Sequence, residues 1–326
     1  MGKFTWTSSP VVNRYEGNPI LAARDMPFPS HMVYNAAAVK FGGRYVMMFR
    51  NLVWDEPYRS YTHFLGLAYS DDGLNWEVER DFRFKPEGTR FPADPRMTVI
   101  EGRVYVCFAE VTPHGLRGAI AVTGDFENYE MLSMSAPDNR NMVLFPERIG
   151  GKFARLERPF PVYGRREPEA FETWYSDSPD CRYWGNTQLV LEYDAVPFCN
   201  RKNGPAGQPI KTDRGWLTLF HAVHYDPDTV YPSWRDETWH KLYCVGIMML
   251  DLEEPWRIVG LSREPLMVPE APYDYETDGC RSYTIFPCAT ILEDDGTVRI
   301  YYGACDTVVA LATARLDDLI GLCKPV

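Results

Sequence analysis

The sequence predicts an all-β protein, a five-bladed β-propeller. Three observations carry this. Short apolar runs rich in β-branched and aromatic residues dominate, helical periodicity is nearly absent, and one unit recurs five times along the chain. The unit is an apolar strand, a Gly-Gly or acidic-Gly turn, and a second apolar strand. It appears as Val39–Phe49 around Gly42-Gly43 and as Met97–Phe108 around Glu101-Gly102. It returns as Val143–Leu156 around Gly150-Gly151, Ile210–Phe220 around Arg214-Gly215, and Ala289–Tyr302 around Asp295-Gly296. Each is followed by a third strand that ends in an acidic turn, such as Ser70-Asp71-Asp72-Gly73 or Thr123-Gly124-Asp125. The units lie roughly 50 to 75 residues apart, a spacing suited to propeller blades of four strands. A β-sandwich with long loops is the alternative, and the fivefold recurrence favours the propeller. A single domain over residues 1–326 is expected.

Composition narrows the partners. A formal net charge of -11 argues against nucleic acid and against an anionic membrane surface. No apolar run approaches the roughly 18 to 20 residues needed to span a bilayer. The segment Met1-Gly2-Lys3-Phe4-Thr5-Trp6 lacks the apolar centre of a secretion signal. Eight cysteines are widely spaced, without a Cys-x-x-Cys pair, and several sit in apolar strands. Reduced, buried thiols in a cytoplasmic protein are the simplest expectation. No metal site is expected, since His221 and His224 have no third ligand at workable spacing.

Against that acidic background the stretch 138–159 is basic, with Arg140, Lys152, Arg155 and Arg158 around the Gly150-Gly151 turn. Guanidinium forks match phosphate and carboxylate. Upstream, Phe91-Pro92-Ala93-Asp94-Pro95-Arg96 offers one carboxyl group as a general acid, although an Asp before Pro also suits a turn. One acid plus an anion cradle suggests phosphorolysis, in which phosphate replaces water and needs no base. Arg155 and Lys152 are expected to point outward from the hairpin.

Several segments together resemble glycoside hydrolase family 130, the inverting β-mannoside phosphorylases. They include Asn18-Pro19-Ile20, Tyr34-Asn35-Ala36-Ala37, Met48-Phe49-Arg50, Ala93-Asp94-Pro95-Arg96, Asn139-Arg140-Asn141, Leu156-Glu157-Arg158-Pro159, Trp216 through Val223, and Tyr301 through Thr307. They run through most of the chain in the family's order. The resemblance implies a five-bladed propeller, with Asp94 as the acid, acting through the mannosyl 3-hydroxyl. Arg140, Arg158, Lys202 and His221 fall on the phosphate ligands, although Arg201 competes with Lys202. Asn35, Arg50, Asn141 and Asp306 fall on positions that hold the mannosyl unit. No cofactor is implied; inorganic phosphate is a co-substrate, and the other partner is a small sugar. The compact length resembles the β-1,4-mannoside branch.

Two departures stand out. Ala93 replaces the Glu or Tyr that precedes the acid in relatives. Cys280-Arg281-Ser282-Tyr283-Thr284 replaces a more apolar run, and puts acceptor preference in question. Trp54, Tyr58 and Tyr61 follow Arg50 in a long loop and could stack on a sugar ring. Tyr231, Trp234 and Trp239, in the polar insert Asp226–Lys241, suit either substrate or the subunit interface of a homo-oligomer. A hydrolase on this scaffold would lack the basic cluster and aim a second carboxylate, Glu110 or Glu147, at water. A non-catalytic sugar-binding propeller would need the aromatics without the acid.

Overall fold

A computed structural model describes residues 5–55, 60–160, 170–233, 238–275 and 280–326. After a short first strand, β1 (Asn13–Arg14), the chain forms five sheets in succession. The first holds β2 (Met32–Phe41), β3 (Arg44–Asp55), β4 (Ser60–Ser70) and β5 (Glu77–Val78). The second holds β6 (Pro92–Ile100), β7 (Arg103–Thr112), β8 (Gly115–Thr123) and β9 (Glu130–Met134). The third holds β10 (Asn139–Leu144), β11 (Phe153–Pro159), β12 (Thr173–Ser178) and β13 (Gly185–Leu191). In the fourth the inner strand is interrupted, so that β14 (Lys202–Pro205) and β15 (Ile210–Thr212) both pair with β16 (Gly215–Tyr225), followed by β17 (Lys241–Leu250) and β18 (Ile258–Leu261). The fifth holds β19 (Ile285–Leu292), β20 (Thr297–Ala304) and β21 (Val308–Arg315), with β1 as its outer strand. These are the five blades of the expected propeller, and the predicted turns fall between the first two strands of each.

The turn chemistry explains the hairpins. Gly42-Gly43, Glu101-Gly102 and Gly150-Gly151 all have positive φ at both positions. Two consecutive left-handed residues are what a two-residue turn needs to match the twist of its strands. Closure of the ring was not visible in the sequence. It comes from β1, which pairs Asn13 with Thr313 and Arg14 with Ala312. Asn18 extends that edge: its side chain donates to Leu311 O and accepts from Leu311 N, both at 2.8 Å.

Sheets stacked around an axis are covered on both faces, and the strand Tyr45–Phe49 shows why its sequence reads as one apolar run. Val46 and Met48 pack between the first and second blades. Met47 and Phe49 pack between the fifth and the first. Alternation thus serves two cores rather than core and solvent. Burying each such side chain contributes about 1.5–3 kcal/mol. All eight cysteines are buried and unbridged. The same geometry corrects the expectation for Arg155. That residue is buried, paired with Glu157 at 2.8 Å and stacked on Trp184 at 4.1 Å. Its partners Glu157, Ser176 and Trp184 all belong to its own blade, which covers the guanidinium before water can reach it. Lys152 does point outward, to Asp177 at 3.1 Å.

The inner strands position the site. β2, β6 and β10 each slip register near their first residues, and at each slip one residue adopts positive φ: Asn35, Asp94 and Asn141. Asn and Asp are the side chains best suited to that conformation, and such bulges re-aim a side chain out of the pleat. The hairpin turns lie at the opposite ends of these strands. One face of the ring therefore gathers the starts of the inner strands and the ends of the second strands.

Candidate active site

On that face a cavity of about 210 Å³ is lined from all five blades. Asn35 and Arg50 come from the first, Asp94 from the second, Arg140, Asn141 and Arg158 from the third, and Lys202, Lys241 and Tyr243 from the fourth. The fifth adds Phe286 and Asp306, with Thr284 just before its inner strand. Eight residues singled out in the sequence thus meet in one place: Asn35, Arg50, Asp94, Arg140, Asn141, Arg158, Lys202 and Asp306.

Asp94 is almost wholly buried. Its Oδ1 accepts from Asn35 Nδ2 at 2.9 Å and from Arg50 Nη1 at 3.1 Å, and its Oδ2 from Arg140 Nη2 at 2.5 Å. Burial pushes the carboxyl group up, but Arg50, Arg140, Asn35 and Arg96 together outweigh it and hold the group well below the usual carboxylate range. The resting site therefore contains a carboxylate. Gly303 makes this possible, because a Cβ there would run into the Asn35 side chain. Arg96 is structural. It is fully buried, and its Nε donates to Ala206 O at 2.7 Å, tying the second blade to the fourth.

The cations form a second group. Arg158 lines the cavity, and its Nη1 donates to His221 Nε2 at 2.8 Å. His221 stands behind it, fully buried. Burial first, and then Arg158, Arg96, Lys202 and Arg140, drive its proton affinity well below the ordinary value. The ring is neutral, with its proton on Nδ1, and serves to hold the guanidinium. Gly204, opposite His221 in the ladder, leaves room for both: a Cβ would strike the imidazole and sit 3.1 Å from Arg158 Cδ. Arg201, the competitor of Lys202, stacks on Tyr225 at 3.9 Å instead of lining the cavity.

The neutral state of His221 has a measurable consequence. Its folded proton affinity is depressed, whereas the unfolded chain titrates near ~6.5. Below that value the unfolded state takes up a proton that the folded state refuses, so stability falls with falling pH by about 1.4 kcal/mol per pH unit. Urea unfolding at about pH 7.5 and about pH 5.5 should show a larger loss for the wild type than for His221→Gln. Equal losses would mean that the fold does not depend on a neutral imidazole there.

The wall that sequence reasoning missed is Trp239, Lys241 and Tyr243, with Thr284 and Phe286. Trp239 suits either substrate or interface in the sequence, and Thr284 stands there only as part of the 280–284 departure; Lys241, Tyr243 and Phe286 carry no sequence signal of their own. Positions 239, 241 and 243 alternate, which is the signature of one strand face. Trp239 stacks on Tyr243 at 5.9 Å between centroids and 12° between planes. Burial raises the Tyr243 phenol, but Lys202, Lys241, Arg281 and Arg158 outweigh it and hold it below its usual value. The polar insert 226–241 and the departure at 280–284 prove to be one structure. Trp239 Nε1 donates to Ser282 O at 3.1 Å, and Ser282 Oγ donates to Pro232 O at 2.6 Å. Arg281 lies over the Trp239 ring at 4.8 Å and donates to Asp306 Oδ2 at 3.3 Å.

Other candidates fall elsewhere. Trp54 lies further along β3, where its backbone N–H donates to His31 Nδ1 at 3.0 Å, and it does not line this cavity. Tyr58 and Trp234 lie outside the described residues, as does the side chain of Tyr61. Tyr231 packs on Tyr283 at 4.7 Å. Glu110 is buried and accepts from the backbone N–H groups of Arg90 and Phe91, at 2.5 and 3.0 Å. Glu147 is exposed and paired with Lys211. Among the described residues, Asp94 and Asp306 are the carboxylates that line the cavity, and Asp306 is paired with Arg281.

The chain has known relatives. The profile of a glycoside hydrolase family described as beta-1,4-mannooligosaccharide phosphorylase matches residues 7–325. A beta-1,4-mannooligosaccharide phosphorylase of Ruminococcus albus is 30% identical over 96% of this chain and 91% of its own. A beta-1,2-mannobiose phosphorylase of Listeria innocua is 29% identical over 81% of this chain and 69% of its own. A solved structure of a Listeria innocua beta-1,2-mannobiose phosphorylase, in complex with beta-1,2-mannobiose, superposes with a TM-score of 0.78 at 23% identity, covering 95% of this chain and 98% of that one. With a profile match over nearly its whole length, the chain belongs to glycoside hydrolase family 130.

Proposed function

We propose that the protein catalyses inverting phosphorolysis of a terminal β-mannoside, with inorganic phosphate as nucleophile, to give α-mannose 1-phosphate. One observation carries this reading: Arg140, Arg158 and Lys202 line the same cavity as the buried Asp94, and the other carboxylate there is paired. An inverting hydrolase needs a second carboxylate to activate water, whereas phosphate arrives already anionic. It needs charge balance and aim, which fixed guanidinium and ammonium groups provide.

The step balances as follows. A phosphate oxygen bonds to the anomeric carbon, the glycosidic C–O bond breaks on the opposite face, and a proton passes from Asp94 to the leaving oxygen, through the mannosyl 3-hydroxyl. Asp94 rests as a carboxylate, so the proton it gives must first be supplied. Arg140 is shared between Asp94 and the cradle. Phosphate entering as the monoanion draws Arg140 toward itself, weakens that hold on Asp94, and brings the proton. In this reading Asn35, Arg50, Asn141 and Asp306, which line the cavity, hold the mannosyl hydroxyls.

A β-1,4 bond to mannose or N-acetylglucosamine is the donor this reading favours. The family description and the Ruminococcus albus relative support it, while the Listeria innocua relative is named for the β-1,2 linkage. Proton NMR of a β-1,2-, β-1,3- and β-1,4-mannoside panel, with and without phosphate, tests it. The α-anomer of mannose 1-phosphate should appear only with phosphate, and fastest from β-1,4 donors. Free mannose at the same rate without phosphate, or the β-anomer of the phosphate, would sink the reading.

A further inference from the structure

The two strands that carry Arg140 and Arg158 have a second face. These arginines stand directly opposite each other in the β10–β11 ladder, and both line the cavity at Asp94. Side chains alternate along a strand, so Asn139 in β10 and Arg155 and Glu157 in β11 point the other way. They line a separate groove of about 420 Å³, together with Pro159, Arg182 and Trp184. There Glu157 is buried, and three side chains meet its carboxylate. Its Oε2 accepts from Asn139 Nδ2 at 2.6 Å and pairs with Arg155 Nη2 at 2.8 Å. Its Oε1 accepts from Ser176 Oγ at 2.7 Å, and Arg155 Nε donates to the same hydroxyl at 3.0 Å.

None of these four side chains lines the cavity at Asp94. A carboxylate and a guanidinium taken out of water are costly to hold, and persist only when paired and hydrogen-bonded. They stand where the ladder is weakest. The register of β10 slips between Arg140 and Val143, and a slip of this kind interrupts the backbone pairing. Beyond it two pairs, Asn139 with Pro159 and Arg140 with Arg158, hold the start of β10 to β11. Pro159 brings no N–H to that end. Arg140 and Arg158 are like charges directly opposite in a ladder, which push apart. The Asn139–Glu157 bond crosses diagonally between the same two strands on the reverse face. From this geometry we infer that Asn139 and Glu157 are positioning residues: they lock β10 against β11 behind the arginines and so set the spacing of Arg140 and Arg158 for one phosphate. Arg155 balances the charge of Glu157, so the lock does not draw on the cations that face the anion. This assignment rests on the phosphorylase reading.

The test is phosphorolysis of whichever β-mannoside turns over fastest, with initial rates over phosphate and over mannoside. Asn139 is half-buried and uncharged, so Asn139→Ala opens the lock without stranding a buried charge. It should raise the phosphate KM by about three- to tenfold and leave the mannoside KM within about twofold. Glu157→Met with Arg155→Met removes both charges at once and should show the same split. Spacing matters only while both arginines are present. Beside Arg158→Ala, therefore, Asn139→Ala should change the phosphate KM by less than about twofold. An unchanged phosphate KM in Asn139→Ala, equal rises for phosphate and mannoside, or a full rise persisting beside Arg158→Ala would each show that the network merely stabilises the blade, although phosphorolysis stands. If the unsubstituted protein makes no α-mannose 1-phosphate from any β-mannoside in phosphate, both readings fall.

Discussion

Asp94→Asn should remove turnover and at the same time tighten phosphate binding. The loss follows from the role: asparagine has no proton to give, and general acid catalysis supplies about 10²–10⁴-fold. The gain follows from the geometry. The carboxylate neutralises Arg50 and Arg140, and Arg140 also faces the cradle. The amide keeps the shape and can still accept from Asn35, but it leaves two cations in a buried place with less compensation. Breaking a buried ion pair from one side costs roughly 3–5 kcal/mol, less here because Arg140 is a quarter exposed. The variant should therefore melt earlier than the wild type in phosphate-free buffer and regain most of the difference when phosphate is added. Calorimetric titration and thermal melts read both effects. Near-wild-type rates on an unactivated mannoside would remove Asp94 from the acid role. Weaker phosphate binding in the variant would show that the carboxylate and the anion do not compete for Arg140.

The contrast between what the sequence reveals and what it hides has a physical pattern. The five hairpins were legible because Gly-Gly and Glu-Gly turns require positive φ and punctuate the strands that they join. The convergence of Asn35, Asp94 and Asn141 is legible afterwards as one device used three times, a bulge near the start of an inner strand. Closure by Asn13 and Arg14 was hidden, since a two-residue strand has no period and its partner lies some 300 positions away. Arg155 misled because alternation was read as core against solvent, whereas Glu157, Ser176 and Trp184 of its own blade cover the guanidinium. His221 carried a phosphate role by resemblance. The structure places it behind Arg158, fully buried, a depth that sequence does not reveal. The wall of Trp239, Lys241 and Tyr243 alternates plainly. Nothing in that alternation says which face looks into the cavity, because that depends on Ser282 and Pro232 bonding across blades.

Arg158→Ala should raise the phosphate KM strongly and leave the mannoside KM near its original value. Arg158 is buried, it lines the cavity, and its second function is to meet His221. Deleting one charge-assisted bond to a buried anion costs roughly 1.5–3 kcal/mol, which is about 10- to 150-fold in affinity. The pairing with His221 adds to the loss, because the imidazole keeps Arg158 aimed and would lose its Nε2 partner. Arg158→Lys should recover only part of it, since an ammonium group cannot both hold His221 and present a two-pronged face to phosphate. Arg140→Ala should behave differently, because Arg140 also bonds Asp94. Removing it should weaken phosphate binding and raise the proton affinity of Asp94, so the pH dependence of turnover should move upward in the Arg140 variant and stay in place in the Arg158 variant. Initial rates over phosphate, mannoside and pH separate the two. A rise in mannoside KM with unchanged phosphate KM in Arg158→Ala would move that residue to the sugar's side of the cavity. Identical pH profiles for both variants would show that Asp94 takes up its proton independently of Arg140.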